Sequence, residues 1–416
     1  KIPMIDAHFF DSLETRAPAQ RESEQFELLV KHLHHAKTKA PRYVELLSGT
    51  DAEVVTDRSA LANLPVTRKS ELSQSQLSDP PFGGYAAVED GDFLRVFASP
   101  GPVFEPQGRR EDFWRFARAL HAAGFRRGDL IHNTFSYHFT PAGFMVDSGA
   151  HALGCSVFPA GTGQTELQVQ AIATLRPRGY IGTPSFLKII LDKAAETGLE
   201  LSSLEVGAVS GEALPNSLRA EISAMGIEVL QAYATADVGL IAYESPARDG
   251  MILDEHVIVE IVEPGTGNPV PEGEVGEVLV TTLFPEYPLI RFATGDLSAL
   301  LSGPSPCGRT NQRIRGWMGR ADQSAKVRGL FVHPSHVLAV SSRHEEIQRA
   351  RLVVDRENNA DIMVLRCEVG APSDSLQEAI VKTIRDVCKL RGSVEFFDKG
   401  VLPNDGKFIE DKRPID

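Results

Sequence analysis

Between about residues 110 and 235, amphipathic helix-period segments alternate with short strand-like runs, and that alternation leaves few folds open. EDFWRFARALHAAG places Phe113, Phe116, Ala117 and Leu120 on one helical face, with Gly124 positioned to end the helix. DLIHNTF follows as a strand. Next come SVFPAG, a helix TELQVQAIATL, a strand GYIGT and a helix PSFLKIILDKAAETG with Leu187, Ile190, Leu191 and Ala194 aligned. A strand EVGAVSG, a helix PNSLRAEISAMG and a strand IEVLQAY close the series. Strands separated by helices of this length pair in parallel, so βαβ units and an α/β fold are expected.

From about 251 to 301 the pattern changes. HVIVEIVEPGTGNPVPEGEVGEVLVTTLF alternates Val257, Val259 and Ile261, passes through a Pro/Gly cluster and enters a second β run, the pattern of an antiparallel hairpin in a β-rich lobe. The last hundred residues give two strands around ENNAD, a helix with Leu376, Ile380, Ile384 and Val387 on one face, and a strand SVEFF. The expected architecture is α/β: a large multi-lobed N-terminal domain with parallel βαβ sheets and a β-rich lobe, then a small mobile α+β C-terminal domain.

Composition narrows the partners. Net charge is -13 with no basic cluster, which argues against nucleic acid and against an anionic membrane surface, since phosphate backbones are bound by concentrated Lys and Arg. No run of 18 apolar residues occurs, and KIPMIDAHFFDSLETRAP mixes charged with apolar residues, so a cytoplasmic protein acting on small molecules is expected. Cys155, Cys307, Cys367 and Cys388 are far apart and read as core thiols. His32, His34 and His35 read as decoration of a helix surface rather than metal ligands.

Four separated segments carry a resemblance. QAYATADVGLIAYE (231–244), PLIRFATGDL (288–297), GRADQSAKVRGLFVHPSHV (319–337) and LPNDGKFIEDKR (402–413), in this order, resemble the adenylate-forming ligases, most closely the phenylacetate-CoA ligase branch. The likeness extends through LGCSVFPAGTGQTELQVQ and TPSFLKII, so it spans roughly residues 90 to 413. It implies an ATP-dependent carboxylate–CoA ligase. A small aryl or short-chain carboxylic acid attacks the α-phosphorus of ATP, pyrophosphate leaves, and the coenzyme A thiol then displaces AMP. It also implies magnesium, a homodimer, and a division into 1–321 and a rotating 322–416.

The resemblance assigns roles residue by residue. Lys407 falls where the catalytic lysine contacts carboxylate and α-phosphate. Asp296 matches the residue that holds the ribose hydroxyls, Arg320 a nucleotide-contacting arginine and Asp322 the hinge. Tyr233, Ala234 and Thr235 line the adenine and α-phosphate site, and Ser210, Gly211 and Glu212 flank the adenine. Asp237 stands where a magnesium-bound glutamate is usual, and Tyr137, His138 and Phe139 wall the acyl pocket. From the residues alone, Ser210 also reads as a helix cap and Arg320 as half of an ion pair.

Two departures qualify this. The phosphate loop of such enzymes reads approximately Ser-Ser-Gly-Thr-Thr-Gly-Lys-Pro; here Ser99, Gly101 and Pro106 remain, while Pro100, Pro102, Val103, Phe104 and Glu105 stand elsewhere. Glu105 reverses a charge, and losing several charge-assisted hydrogen bonds would cost on the order of a hundredfold in β,γ-phosphate handling. In addition, Ser245 and Ser305 replace cysteines of a zinc set found in many relatives, so no zinc is expected beside Cys307. A non-catalytic nucleotide- or acyl-CoA-binding relative, and an adenylating enzyme with an acceptor other than CoA, stay as alternatives.

Overall fold

A computed structural model describes residues 8–99, 103–328, 330–357, 360–403 and 407–413. The chain divides into two compact units: residues 1–263, 267–294 and 299–317 form the first, and 264–266, 295–298 and 318–416 the second.

The first unit is built on a nine-stranded sheet. Its parallel part runs Glu228–Thr235, Val206–Val209, Gly179–Gly182, Leu130–Asn133, Ser156–Pro159. Gly239–Glu244, Met251–Leu253, Arg313–Ile314 and Leu300–Leu301 extend it antiparallel. Gly179–Gly182 and Val206–Val209 are buried along their whole length, as central strands covered on both faces must be. Helices Thr165–Leu175, Pro184–Thr197 and Asn216–Ala224 connect the strands, and the second lays Leu187, Ile190, Leu191 and Ala194 into the core as their spacing requires. A further helix, Ala142–Leu153, follows the segment 134–141 and was absent from the sequence reading.

The β-rich lobe is present. Val257–Val262 pairs antiparallel with Gly276–Thr282 in a four-stranded sheet completed by Phe292–Ser298 and Thr67–Arg68. Its alternation is misleading, however, because Ile258, Glu260 and Val262 are buried as well as Val257, Val259 and Ile261. Glu260 can be buried because Arg291 places two nitrogens 3.0 Å from its two oxygens.

The second unit has a four-stranded sheet ordered Ser393–Phe397, Ala360–Val369, Ile347–Glu357, Ile409–Asp411. Asn358 and Asn359, inside the expected ENNAD turn, lie outside the described residues. Helix Asp374–Cys388 is capped by Ser373, which accepts from Leu376 N, and buries Ile380, Ile384 and Cys388. That is an α+β unit of the expected kind.

Two local expectations are corrected. The helix expected from Glu111 begins at Phe116 and ends at Ala122. Asp112 accepts from Phe116 N and Ala117 N at 2.8 Å each, so its carboxylate caps the first turn from outside. Arg115, in the left-handed region at φ 68°, turns its guanidinium onto Asp254 and onto the carbonyls of Val238 and Leu240. The second correction concerns 103–107, a strand rather than part of a loop: it pairs antiparallel with Arg95–Ser99.

Candidate functional site

The carboxyl ends of the parallel strands collect most of the expected residues of the first unit. Leu130–Asn133 leads to Tyr137–Phe139, Val206–Val209 to Ser210–Glu212, and Glu228–Thr235 ends in Tyr233, Ala234 and Thr235. In open parallel sheets this edge is where ligands bind, because strand ends and helix N-termini converge there. Val206–Val209 and Glu228–Thr235 are neighbours, so the two expected adenine-flanking segments leave the sheet side by side.

Gly211 has φ 84°, a left-handed turn that glycine adopts without strain. Glu212 Oε1 accepts from Ser185 N at 2.7 Å, in the first turn of helix Pro184–Thr197, whose cap is Thr183. Ser210 caps nothing: the following helix starts at Asn216 after Pro215, with no side-chain cap. Tyr233 is buried and donates to Thr294 Oγ1 at 3.4 Å. The ladder to Gly239–Glu244 slips between Tyr233 and Ala234, a bulge that re-aims the strand end. Thr235 Oγ1 then accepts from Val238 N at 3.2 Å, closing a turn that carries Asp237.

Asp237 points inward. Its side chain is 2% exposed and its Oδ2 lies 2.9 Å from Lys69 Nζ. Glu105 is on the buried face of its strand, hydrogen-bonded to Ser99 Oγ through a short contact. Burial, then the Asp237 charge, pushes the Glu105 carboxyl up to about 8, against the Ser99 hydrogen bond and Lys69. Glu105 therefore does not present a reversed charge to solvent, as the loop reading supposed. Strand alternation accounts for this: Phe104 faces out while Val103 and Glu105 face in. Ser99 and Val103 pair across the hairpin, and Pro100, Gly101 and Pro102 lie outside the described residues.

As an expected magnesium ligand, Asp237 is already engaged, because the ammonium of Lys69 compensates its charge in this arrangement. Lys69 is a residue the sequence reading missed. One signal was available: TRKSEL puts two basic residues at the start of a helix, where the helix dipole disfavours them unless an acidic partner is near.

In the segment expected to wall the acyl pocket, Tyr137 is held by its surroundings. Asn133 Nδ2 donates to its hydroxyl at 2.7 Å, the hydroxyl donates to Asp147 Oδ1 at 3.2 Å, and its ring stands edge-on to Phe144. Burial and then Asp147 raise its pKa. His138 is exposed, and Phe139 is 68% exposed with φ 63°. Phe139 O accepts from Ala98 N at 3.0 Å, which ties this segment to the strand that ends in Ser99.

The second unit brings three expected residues together. Arg320 Nη1 is 3.1 Å from Asp296 Oδ1, their backbones form an antiparallel bridge, and Arg320 Nε is 3.5 Å from Asp322 Oδ1. The ion-pair reading of Arg320 is therefore what the geometry displays, and it orients the Asp296 carboxylate. Lys407 is exposed, and its neighbour Phe408 donates from N to Gln323 Oε1 at 2.9 Å, fixing this stretch beside the segment of Arg320 and Asp322.

Ser305 Oγ lies 3.1 Å from Cys307 Sγ, and hydrogen bonds from Ser245, Ser305 and Arg309 outweigh burial and hold the thiol below its usual pKa. The three positions of the zinc set thus cluster, with serine hydroxyls and an arginine around one sulfur. Burial pushes the thiols of Cys155 and Cys388 up to about 11 and Cys367 to about 12, as inert core thiols. His32 departs from the surface reading: it is buried, with its pKa lowered to about 4, while His34 meets Glu53 at 2.8 Å. No described helix is long and apolar enough to cross a membrane.

The family model described as AMP-binding enzyme matches residues 116–284, the span that contains the parallel strands and their carboxyl edge. The phenylacetate-coenzyme A ligase of Thermus thermophilus is 32% identical over 378 residues, 86% of this chain and 84% of that protein. That of Escherichia coli K12 is 31% identical over 392 residues, 90% and 88% of the two chains. A solved open conformation of 2-hydroxyisobutyryl-CoA ligase, in complex with 2-HIB-AMP and CoA, is similar at TM-score 0.87 and 25% identity, over 99% of this chain and 96% of that one. Fold and sheet-edge site define an adenylate-forming, AMP-binding enzyme. Within that class, the chain belongs to the phenylacetate-coenzyme A ligase family.

Proposed function

We propose that the chain joins a small carboxylic acid to coenzyme A in two steps. A carboxylate oxygen attacks the α-phosphorus of ATP and the bond to pyrophosphate breaks. The CoA sulfur then attacks the acyl carbon and AMP leaves with the electron pair of the acyl–oxygen bond. Family membership supports the reaction. The observation that carries the site reading is the side-by-side exit of Ser210–Glu212 and Tyr233–Thr235 from adjacent parallel strands.

In this reading Tyr233, Ala234 and Thr235 line the nucleotide and Gly211 lets the backbone approach the adenine. Asp296, steadied by Arg320, accepts the ribose hydroxyls. Lys407 offsets charge that builds on the α-phosphoryl oxygens in the first step. For that it need not be fixed, and Asp322 is proposed as the pivot about which 322–416 turns between steps. Magnesium accompanies the nucleotide phosphates rather than Asp237. Tyr137 gives a fixed wall to the acyl pocket, and His138 and Phe139 are proposed to close over a small aryl or short-chain acid. A cytoplasmic homodimer is part of the proposal by family likeness alone.

The test is incubation with ATP, Mg2+, CoA and a panel of acids that includes phenylacetate, benzoates and 2-hydroxyisobutyrate. Equimolar AMP, pyrophosphate and acyl-CoA with at least one acid is expected. AMP release that ignores CoA and requires an amine would favour another acceptor, and no pyrophosphate with any acid would leave a binding protein.

A further inference from the structure

Two buried carboxyl groups, Asp237 and Glu105, lie beside the partly exposed ammonium of Lys69. We infer that Lys69 is the fixed cation of the nucleotide site, its ammonium held by Asp237 and meeting the terminal phosphates of ATP. The inference rests on the nucleotide reading above and deepens it.

Lys69 is rigidly seated. Thr67–Arg68 pairs in parallel with Phe292–Ala293, and Lys69 opens the helix Lys69–Ser78 directly afterwards. A cation there is opposed by the helix dipole, so its placement needs an anion, and Asp237 supplies one at 2.9 Å. Exposure shows which partner meets a ligand: the Asp237 side chain is 2% exposed and that of Lys69 35%. Asp237 takes one of three ammonium donors.

Glu105, on the hairpin itself, is buried against Ser99 and Asp237 and carries no cation. Asp237 Oδ2 holds the ammonium from its buried side, and Asp237 Oδ1 is buried without a hydrogen-bond partner. Asp237 and Glu105 stand on two elements, the 235–239 turn and the hairpin strand, and Lys69 acts on both. A dication at Asp237 would have to displace it. The side chain thus does at this carboxylate what a metal does elsewhere, with the charge on a stem that reaches outward.

Binding of ATP and of AMP to the full chain, measured by calorimetry, tests this. Lys69→Met is expected to weaken ATP binding by about tenfold to a hundredfold, the range for losing a charge-assisted hydrogen bond, with AMP binding unchanged because AMP lacks the terminal phosphates. Lys69→Arg is expected to restore most of the ATP affinity. If Lys69→Met folds poorly, Lys69→Met with Asp237→Asn keeps the buried charge balanced and carries the same expectation. Equal losses for ATP and AMP, or no loss for either, would overturn the role of Lys69 while leaving the nucleotide site standing. A wild-type chain that binds neither nucleotide would instead overturn the site itself.

Discussion

Glu105 shows how a single substitution is absorbed. A glutamate in a phosphate-loop position reads as a charge aimed at an anion, but it stands in a strand whose alternation turns it inward to Ser99, with Asp237, Lys69 and Tyr287 as its charged and titratable neighbours. With its folded pKa near 8 and its ordinary value 4.5, the native protein keeps a proton that the unfolded chain releases. Stability from this group is complete below about pH 4.5, falls as pH rises, and is lost above about 8, at about 1.4 kcal/mol per pH unit between. Urea unfolding at pH 5.5 and 7.5 should show wild type losing about 2–3 kcal/mol relative to Glu105→Gln. A constant difference would mean that Glu105 ionises normally. The residue types at this position were legible in the sequence. Their direction was not, because it depends on the 99–103 pairing, which a loop reading removes.

Elements were legible where periodicity and burial agree. The strands Gly179–Gly182 and Val206–Val209 and the helix Pro184–Thr197 lie where their apolar spacing put them. The helix start at Phe116 was not legible, since Phe113 and Trp114 are apolar for core packing rather than for a helical face, and Arg115 leaves helical geometry to reach Asp254. The strand Val257–Val262 was recognised but its burial was not, because Glu260 looks like a solvent-facing position until Arg291 is placed against it. Arg291 also donates to the carbonyls of Ala62, Leu64 and Gly267, joining three stretches of the lobe. Arg291→Met should cost about 3–5 kcal/mol in chemical denaturation, because it leaves Glu260 buried and unpaired. Arg291→Met combined with Glu260→Met should recover part of that loss. If the single variant matches wild type, the pair is not what closes the lobe.

At the scale of the molecule, the order of separated segments was enough to read the family, and the 32% identity across 86% of the chain agrees. The expected division is a single cut at 321/322; residues 264–266 and 295–298 group with 318–416, and the Asp296 to Arg320 bridge that ties 295–298 there has no local signal in the sequence. Within the second unit, Arg320 lies against Asp296 and near Asp322, and Phe408, the neighbour of Lys407, is bonded to Gln323. The claim that most depends on this arrangement is that Lys407 serves the formation of the acyl-adenylate. Acid-dependent exchange of labelled pyrophosphate into ATP, compared between wild type and Lys407→Ala, tests it most directly. The expected result is exchange in wild type with at least one carboxylic acid and a fall of roughly a hundredfold to a thousandfold in the variant. Exchange in the variant equal to wild type, or none in wild type with any acid, would contradict it.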